Sequence, residues 1–248
     1  MKSPSPSSLN YLEKGQGSPT MVFLHFFGGS SNNWSEIMER LSARHRCIAL
    51  DLRGFGASEA PDQPYRVQDH VHDVAATLAA FQLEQWILVG HSMGGKIAMS
   101  LAARRPQGLV GLILLATSPP SPEPRSDQDR SALLDAYGHR PAIEQLIHKI
   151  AVQPLSRFLF DQVVADHLRT DAVAWKAWIE VGSQEDISPA IALVEVPVKV
   201  FSGAQDPVFP IRFLQTELNK YFPNAVYTEI PGVGHLLPLE APGCLDDL

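Results

Sequence analysis

One serine in this chain has the neighbours that a reactive hydroxyl group needs. The segment ILVGHSMGGKIAMSLA contains Gly90-His91-Ser92-Met93-Gly94. A strand-like apolar run precedes Ser92, and an Ala-rich, helix-like run follows it. A sharp turn between two such elements requires small residues, which Gly90 and Gly94 supply. We therefore predict that Ser92 is a nucleophile exposed at the top of a strand-to-helix turn.

The same turn would set Ser92 beside the N-terminus of the following helix. Backbone N–H groups that are exposed there can stabilise negative charge on a reacting oxygen. A Ser hydroxyl is a poor nucleophile by itself, and it needs a base that is oriented by a carboxylate. The fold must therefore bring a His and an acidic residue to Ser92.

The elements that must do this alternate between strands and helices along the chain. Runs such as WILVG and LVGLILLA are continuously apolar, which is typical of strands buried on both faces of a parallel sheet. Apolar residues spaced by three or four over 66–81 indicate a helix with one buried face. The alternation predicts an α/β fold with a mostly parallel central sheet. The predicted strands are 20–26, 46–51, 85–91, 109–116, 196–202 and 225–230.

A proline-rich segment interrupts this pattern after the fourth predicted strand. The sequence TSPPSPEPRSDQD cannot continue a helix or a strand, because proline lacks a backbone N–H. Helical periodicity without a convincing strand follows it as far as residue 186. We therefore predict a core formed by residues 1–118 and 187–248, with a helical lid at 119–186.

Five motifs resemble those of the α/β-hydrolase superfamily and occur in the order expected there: HFFGG, DLRGFGAS, GHSMGG, SGAQDPVFP and GVGHLLPLE. The resemblance covers nearly the whole chain and implies the α/β-hydrolase fold. In that family the nucleophile, the acid and the histidine follow one another in this order along the chain. The resemblance implies that Ser92 is the nucleophile, Asp206 the acid and His235 the base.

The resemblance also assigns roles around these three residues. It implies that the backbone N–H groups of Phe27 and Met93 form an oxyanion hole. His91, inside the turn, is expected to point away from the reacting centre. Asp51, which ends a predicted strand, is expected to be structural and to organise the loop around Arg53.

Aromatic side chains are the candidates for the walls of a substrate pocket. Phe26 stands where the family commonly has Gly, beside the expected donor Phe27. We expect its ring to narrow the acyl side of the pocket, with packing in the core as the alternative. The helical lid supplies further candidates, for each of which core packing is again the alternative: Trp175, Trp178, Phe158 and Phe160.

These assignments predict a serine hydrolase that acts on a carboxylic ester or a related acyl compound, without a cofactor or a metal. His70 and His72 diverge on a predicted helix, so they do not indicate a metal site. Hydrolysis of enol-lactones and perhydrolysis are alternatives. Hydrolysis of carbon–carbon bonds is less favoured, because Leu236 follows His235 where such relatives often have Trp. A ligand-binding receptor on the same fold is the alternative from another class.

Composition narrows the expected partners and the location. The formal net charge of −7 argues against nucleic acid and anionic membranes, so a small-molecule acyl substrate is the expected partner. Cys47 and Cys244 are too few for a disulfide framework, which favours a cytoplasmic protein. Residues 1–10 predict a disordered lead-in rather than a signal peptide. The family resemblance leads us to expect a longer closing helix after LEAP than these 248 residues hold.

Overall fold

Seven strands form one sheet in the part of the chain that the computed structural model describes, residues 9–61 and 64–247. The strands are β1 (Tyr11–Lys14), β2 (Thr20–Leu24), β3 (Cys47–Leu50), β4 (Trp86–His91), β5 (Leu109–Leu115), β6 (Val198–Gly203) and β7 (Val226–Ile230). Their order across the sheet is β1-β3-β2-β4-β5-β6-β7. β1 runs antiparallel to β3, and the other neighbouring pairs are parallel. The predicted α/β fold is confirmed, whereas most of the predicted disordered lead-in lies outside the described residues.

Helices pack on both faces of this sheet. Val22 and Leu24 of β2 pack with the helices Val67–Ala79, Met93–Ala102 and Ile211–Leu218, whereas Met21 and Phe23 pack with the helices Ser35–Leu41 and Leu237–Glu240. Because helices cover both faces of the sheet, residues that point to either face of β2 are apolar, and the strand is a continuous apolar run.

Among the helices of the described ranges, none is long and apolar enough to cross a membrane. The helices are α1 (Ser35–Leu41), α2 (Val67–Ala79), α3 (Met93–Ala102), α4 (Asp127–Asp135), α5 (Arg140–Ile150), α6 (Arg157–Arg169), α7 (Ala172–Glu180), α8 (Ser188–Ile191), α9 (Ile211–Leu218) and α10 (Leu237–Glu240), with 3-10 turns at Ser31–Trp34, Gly182–Gln184 and Pro242–Leu245.

Two differences from the sequence-based prediction, at β1 and at the end of β2, have physical reasons. The sequence does not predict β1, because all four of its side chains are exposed and it shows no buried face. β2 ends at Leu24, two residues before the predicted end. The ring of His25 turns the chain there: Nδ1–H donates to the carbonyl oxygen of Phe26 at 2.7 Å, and Nε2 accepts from the backbone N–H of Leu52 at 3.0 Å.

Residues 119–186 form the helical segment between β5 and β6 that the sequence predicts, comprising α4 to α7. Lys96 on α3 contacts both ends of this segment, because its Nζ donates to the carbonyl oxygens of Ser121 at 3.1 Å and Ser183 at 3.3 Å. The Lys96 side chain is fully buried, and burial lowers its pKa to about 8. Both ends of the helical segment are therefore joined to α3 one turn after Ser92. Its role as a lid stays a prediction.

Asp51 joins three loops at the end of β3. Its carboxylate accepts hydrogen bonds from the backbone N–H of Ser31 at 2.6 Å, from that of Ala57 at 2.8 Å and from the side chain of Asn10 at 2.8 Å. The Asp51 side chain is 2% exposed, so its carboxylate depends on these donors for its hydrogen bonds. Asp51 is structural in its contacts, as expected, because Ala57 and Ser58 of the loop around Arg53 both donate to it. Arg53 itself pairs with buried Asp73 at 2.5 Å.

We expect Asp51→Ala to lower the free energy of unfolding by about 2–4 kcal/mol, because the backbone N–H groups of Ser31 and Ala57 lose their acceptor. Urea unfolding measures this loss, and exposed Glu36→Ala should stay within about 0.5 kcal/mol of wild type. Burial raises the pKa of Asp51, but the hydrogen bonds from Ala57 and Ser31 outweigh it and hold the pKa below its ordinary value. The wild type should therefore lose this stabilisation as the pH falls through the folded-state pKa. An unchanged unfolding free energy would contradict the role given to Asp51.

Candidate active site

Ser92 occupies the sharp turn between β4 and α3. Its φ is 51° and its ψ is −115°, a conformation that L-residues rarely adopt and that costs energy. A Cβ at Gly90 would lie 2.5 Å from the carbonyl oxygen of Gly94, and a Cβ at Gly94 would clash with the carbonyl oxygen of Leu24. The strand and the helix can therefore approach this closely only through glycine.

His235 links Ser92 to Asp206 through a row of two hydrogen bonds. Nε2 of His235 lies 3.0 Å from Oγ of Ser92, and Nδ1 lies 2.9 Å from Oδ2 of Asp206. Because a carboxylate only accepts, Nδ1 carries the proton and Nε2 is free to accept one from the serine hydroxyl. All three side chains are less than 9% exposed. This geometry allows Ser92 to lose its proton to His235 as its oxygen attacks an electrophile.

Asp206 is held as an anion on the loop after β6. Its second oxygen, Oδ1, accepts from the backbone N–H groups of Val208 at 2.7 Å and Phe209 at 3.1 Å. Burial raises the pKa of Asp206, but the charge of His235 and these hydrogen bonds outweigh burial and keep the pKa below its ordinary value. Asp206 is therefore charged at neutral pH and can stabilise a protonated His235.

Glu240 on α10 holds the loop that carries His235. Its carboxylate accepts from the backbone N–H groups of Gly234 and Leu236, on either side of His235, at 2.9 Å each. The same carboxylate accepts from Val152 at 2.7 Å and Gln153 at 2.8 Å, immediately after α5. The backbone N–H of His235 also donates to the carbonyl oxygen of Ile150 at 2.8 Å. The base is therefore fixed to the helical segment as well as to the core.

His91 lies against the ring of His235, and its ring nitrogen bonds to the backbone rather than to a group that reacts. Its Nε2–H donates to the backbone carbonyl oxygen of His235 at 2.8 Å, and the two ring centroids are 5.4 Å apart. Burial lowers the pKa of His91 to about 3, so the ring is neutral. His91 therefore supports the position of the base without carrying charge.

The loop of residues 25–30 brings backbone N–H groups to the same edge of the sheet. Its backbone turns at Phe26, whose carbonyl oxygen also accepts from Gly29 at 3.0 Å. Within the described residues, the N–H groups of Phe27 and Met93 have no protein acceptor. Both groups are therefore available to an added oxygen atom.

The aromatic candidates for the pocket differ in burial and packing. Phe26 is 3% exposed and packs with Val163 and Val164 of α6, so the core-packing alternative accounts for its contacts and a pocket role stays a prediction. Trp175 is buried with its ring centroid 4.5 Å from that of half-buried Phe27.

The other candidates from the helical segment differ in their surroundings. Trp178 is 4% exposed and packs in the main core, against Gly182, so core packing accounts for its contacts and a pocket role stays a prediction. The prediction for Phe158 is wrong: its side chain is 75% exposed, because it lies in the solvated first turn of α6. Phe160 stacks on His148, with 4.7 Å between the ring centroids. Of the two histidines on α2, His70 is buried and His72 exposed, so they diverge as expected.

The sequence is also similar to those of known proteins. A sequence model of the alpha/beta hydrolase fold matches residues 19–152, more than half of the chain. The chain belongs to the alpha/beta hydrolase fold family. At this level it is an α/β hydrolase, and the predicted α/β-hydrolase fold is confirmed.

Relatives of this α/β hydrolase have diverse reactions. Over 109 residues it is 41% identical to a haloalkane dehalogenase from Mesorhizobium japonicum, a match that spans 44% of this chain and 35% of that protein. Over 205 residues it is 28% identical to 3-oxoadipate enol-lactonase 2 from Acinetobacter baylyi, covering 81% of this chain and 77% of the lactonase. The solved structure of an esterase from Exiguobacterium antarcticum is similar in fold, with a TM-score of 0.86 at 19% identity, over 96% of this chain and 92% of the esterase.

We expect Glu240→Gln to loosen the loop that carries His235, because an amide NH₂ group would face backbone N–H groups that need an acceptor. The free energy of unfolding should fall by about 1–3 kcal/mol. The downfield proton resonance of a hydrogen-bonded His235 Nδ1–H, measured by NMR, should broaden or move upfield. Glu229→Gln, the same change at an exposed position on β7, is the matched control. Equal spectra and stabilities for the two variants would refute the role of Glu240.

Proposed function

We propose that this α/β hydrolase is a serine hydrolase that cleaves a small or medium carboxylic ester, or a related acyl compound, through an acyl-enzyme. The observation that carries the proposal is the row from Ser92 through His235 to Asp206, with hydrogen bonds of 3.0 and 2.9 Å. Such a row supplies a nucleophile, a base and a counter-charge within one buried site. No cofactor is needed for this chemistry.

The first half-reaction forms the acyl-enzyme. Oγ of Ser92 attacks the carbonyl carbon while Nε2 of His235 takes the hydroxyl proton. Asp206 keeps His235 in the productive tautomer and stabilises its positive charge. The N–H groups of Phe27 and Met93 donate to the oxyanion of the tetrahedral intermediate. When the intermediate collapses, the alcohol leaves with the proton from His235.

The second half-reaction releases the acid. His235 takes a proton from a water molecule, whose oxygen attacks the acyl carbon of the acyl-enzyme. The second tetrahedral intermediate uses the same oxyanion donors. Its collapse breaks the bond to Ser92, which recovers its proton from His235, and the carboxylic acid leaves.

The relatives favour some alternative substrates over others. A lactone is a cyclic ester, so enol-lactone hydrolysis needs the same groups, and the lactonase relative makes it the second candidate. Displacement of a halide by Ser92 would give an ether, which water cannot cleave as it cleaves an ester. Dehalogenation is therefore disfavoured, although the dehalogenase relative matches 44% of this chain. The two free cysteines favour a reducing compartment such as the cytoplasm.

A screen of ester, thioester and lactone substrates of graded size tests this proposal together with a fluorophosphonate probe. Wild type should hydrolyse at least one class and become labelled, whereas Ser92→Ala should do neither. In a serine protease of another fold, loss of the nucleophile costs on the order of 10⁶ in kcat. Equal labelling of the two proteins would disprove the nucleophile. A labelled wild type without turnover of any substrate would favour the receptor alternative.

Asp206→Asn should keep the fold and lower kcat by up to roughly 10⁴, through the wrong tautomer and an unstabilised imidazolium. His235→Ala should be at least as severe. Steady-state kinetics on the best substrate from the screen gives these values, and circular dichroism checks the fold. If Asp51→Asn instead abolished turnover while Asp206→Asn behaved as wild type, the acid would be misassigned.

A further inference from the structure

A buried hydrogen bond joins the helical segment to the loop of residues 25–30. The hydroxyl of Ser30 donates to Oδ2 of Asp166, on α6, at 2.6 Å. Ser30 is fully buried and Asp166 is 2% exposed. The other carboxylate oxygen of Asp166 accepts from Arg169 at 2.5 Å. A charge-assisted bond in such a buried position is costly to break, so it fixes the end of the loop to α6.

A second contact fixes the middle of the same loop. The ring of His167, the next residue on α6, lies so close to Gly28 that a Cβ there would clash with it. Gly28 has a φ of +78°, which also favours glycine at this position. Nδ1–H of His167 donates to the carbonyl oxygen of Val163 at 2.8 Å and thereby fixes the ring. The backbone of Gly28 therefore follows the surface of α6.

Phe27 lies between the points at which this loop is held. On one side the carbonyl oxygen of Phe26 is fixed by His25, and on the other side Gly28 and Ser30 are fixed by α6. Among the described residues no protein acceptor receives the Phe27 N–H, so its direction depends on these neighbours alone.

We propose that Asp166 and His167 are positioning residues that set the direction of the Phe27 N–H and so complete the oxyanion hole from the helical segment. The inference rests on the proposed serine-hydrolase function. It gives the helical segment a second role: besides selecting substrates, it contributes to the rate with every substrate. Changes at Asp166 and His167 should therefore lower kcat without regard to acyl length.

The first experiment compares Ser30→Ala, Asp166→Ala and the double variant on acetate, butyrate and octanoate esters. Each single change should lower kcat by about 10-fold to 10²-fold, by a similar factor for each ester and with little change in KM, because a misplaced donor weakens only the transition state. The double variant should lose no more than the worse single variant, since both remove one interaction. Asp161→Ala, on the outer side of α6 and paired with exposed Arg157, is the matched control.

A trifluoromethyl ketone separates this role from general loosening of the fold. It forms a tetrahedral adduct with the serine, whose oxyanion needs the donor, whereas the product alcohol carries no oxyanion and binds without the donor. The affinity for the ketone should fall in parallel with kcat/KM across the variants, and the affinity for the product alcohol should not. Parallel loss of both affinities would overturn the inference in favour of a purely structural role.

The second experiment uses the contact at Gly28 and remains decisive if a Ser30 or Asp166 variant fails to fold. Gly28→Ala should lower kcat through the clash with His167. Adding His167→Ala makes room for the new methyl group, and it should restore part of the lost kcat if this contact sets the loop. Absence of any recovery, in a double variant that folds by circular dichroism, would contradict the inference.

The outcomes distinguish this inference from the function on which it rests. If wild type hydrolyses esters and Ser92 is labelled, but the α6 variants keep kcat, the inference fails and the proposed function survives. Losses confined to octanoate would also overturn it, because they would assign α6 to substrate selection. If wild type neither turns over nor becomes labelled, the proposed function itself fails.

Discussion

The close approach of α3 to the sheet is the constraint on which the site depends. At Gly94 the helix backbone packs directly on the carbonyl oxygen of Leu24, so the turn that carries Ser92 has no freedom to relax. Three hydrogen bonds of 2.9–3.0 Å fix the backbone of Ser92 in its strained conformation, and they join it to Leu115, Gly95 and Ser118. The strain is thereby balanced by contacts from β5 and α3. The loops that carry Asp206 and His235 must therefore place these side chains relative to a serine that cannot move.

Buried carboxylates hold these loops in place. Loops at the end of a parallel sheet expose backbone N–H groups that no strand partner can satisfy, and each buried group requires an acceptor. Asp51, Asp206 and Glu240 each accept from two or more backbone N–H groups of such loops. One kind of interaction therefore fixes the loops after β3, β6 and β7, and among these residues only Asp206 also contacts the base.

The sequence predicts the parts of this structure that follow from local pattern. The buried strands are visible as continuous apolar runs, and Ser92, Asp206 and His235 lie in motifs whose order resembles that of the family. The sequence does not predict β1, because its exposed side chains show no apolar periodicity. Phe158 and Trp178 have the same aromatic character in the sequence, and only packing separates an exposed ring from a core ring.

Contacts between distant segments are also beyond the sequence. Ser30 and Asp166 are separated by 136 positions, and nothing in either local pattern indicates that they meet. Glu240 lies five residues after His235 inside the motif GVGHLLPLE, and this short spacing is the only sequence signal that Glu240 contacts the loop of His235. Its bonds to the residues after α5 depend on how the helical segment packs, which periodicity does not reveal.

The joint at Lys96 has a consequence for how such proteins diversify. β5 and β6 are hydrogen-bonded neighbours in the sheet, so the distance between the two attachment points of the helical segment is set by the core. Lys96 contacts the segment only through backbone carbonyl oxygens, which any amino acid supplies. An insertion of another length or sequence could therefore be exchanged between β5 and β6 without new demands on the sheet. A replacement segment would still have to supply the contacts that the present one makes with the loops of His235 and Ser30.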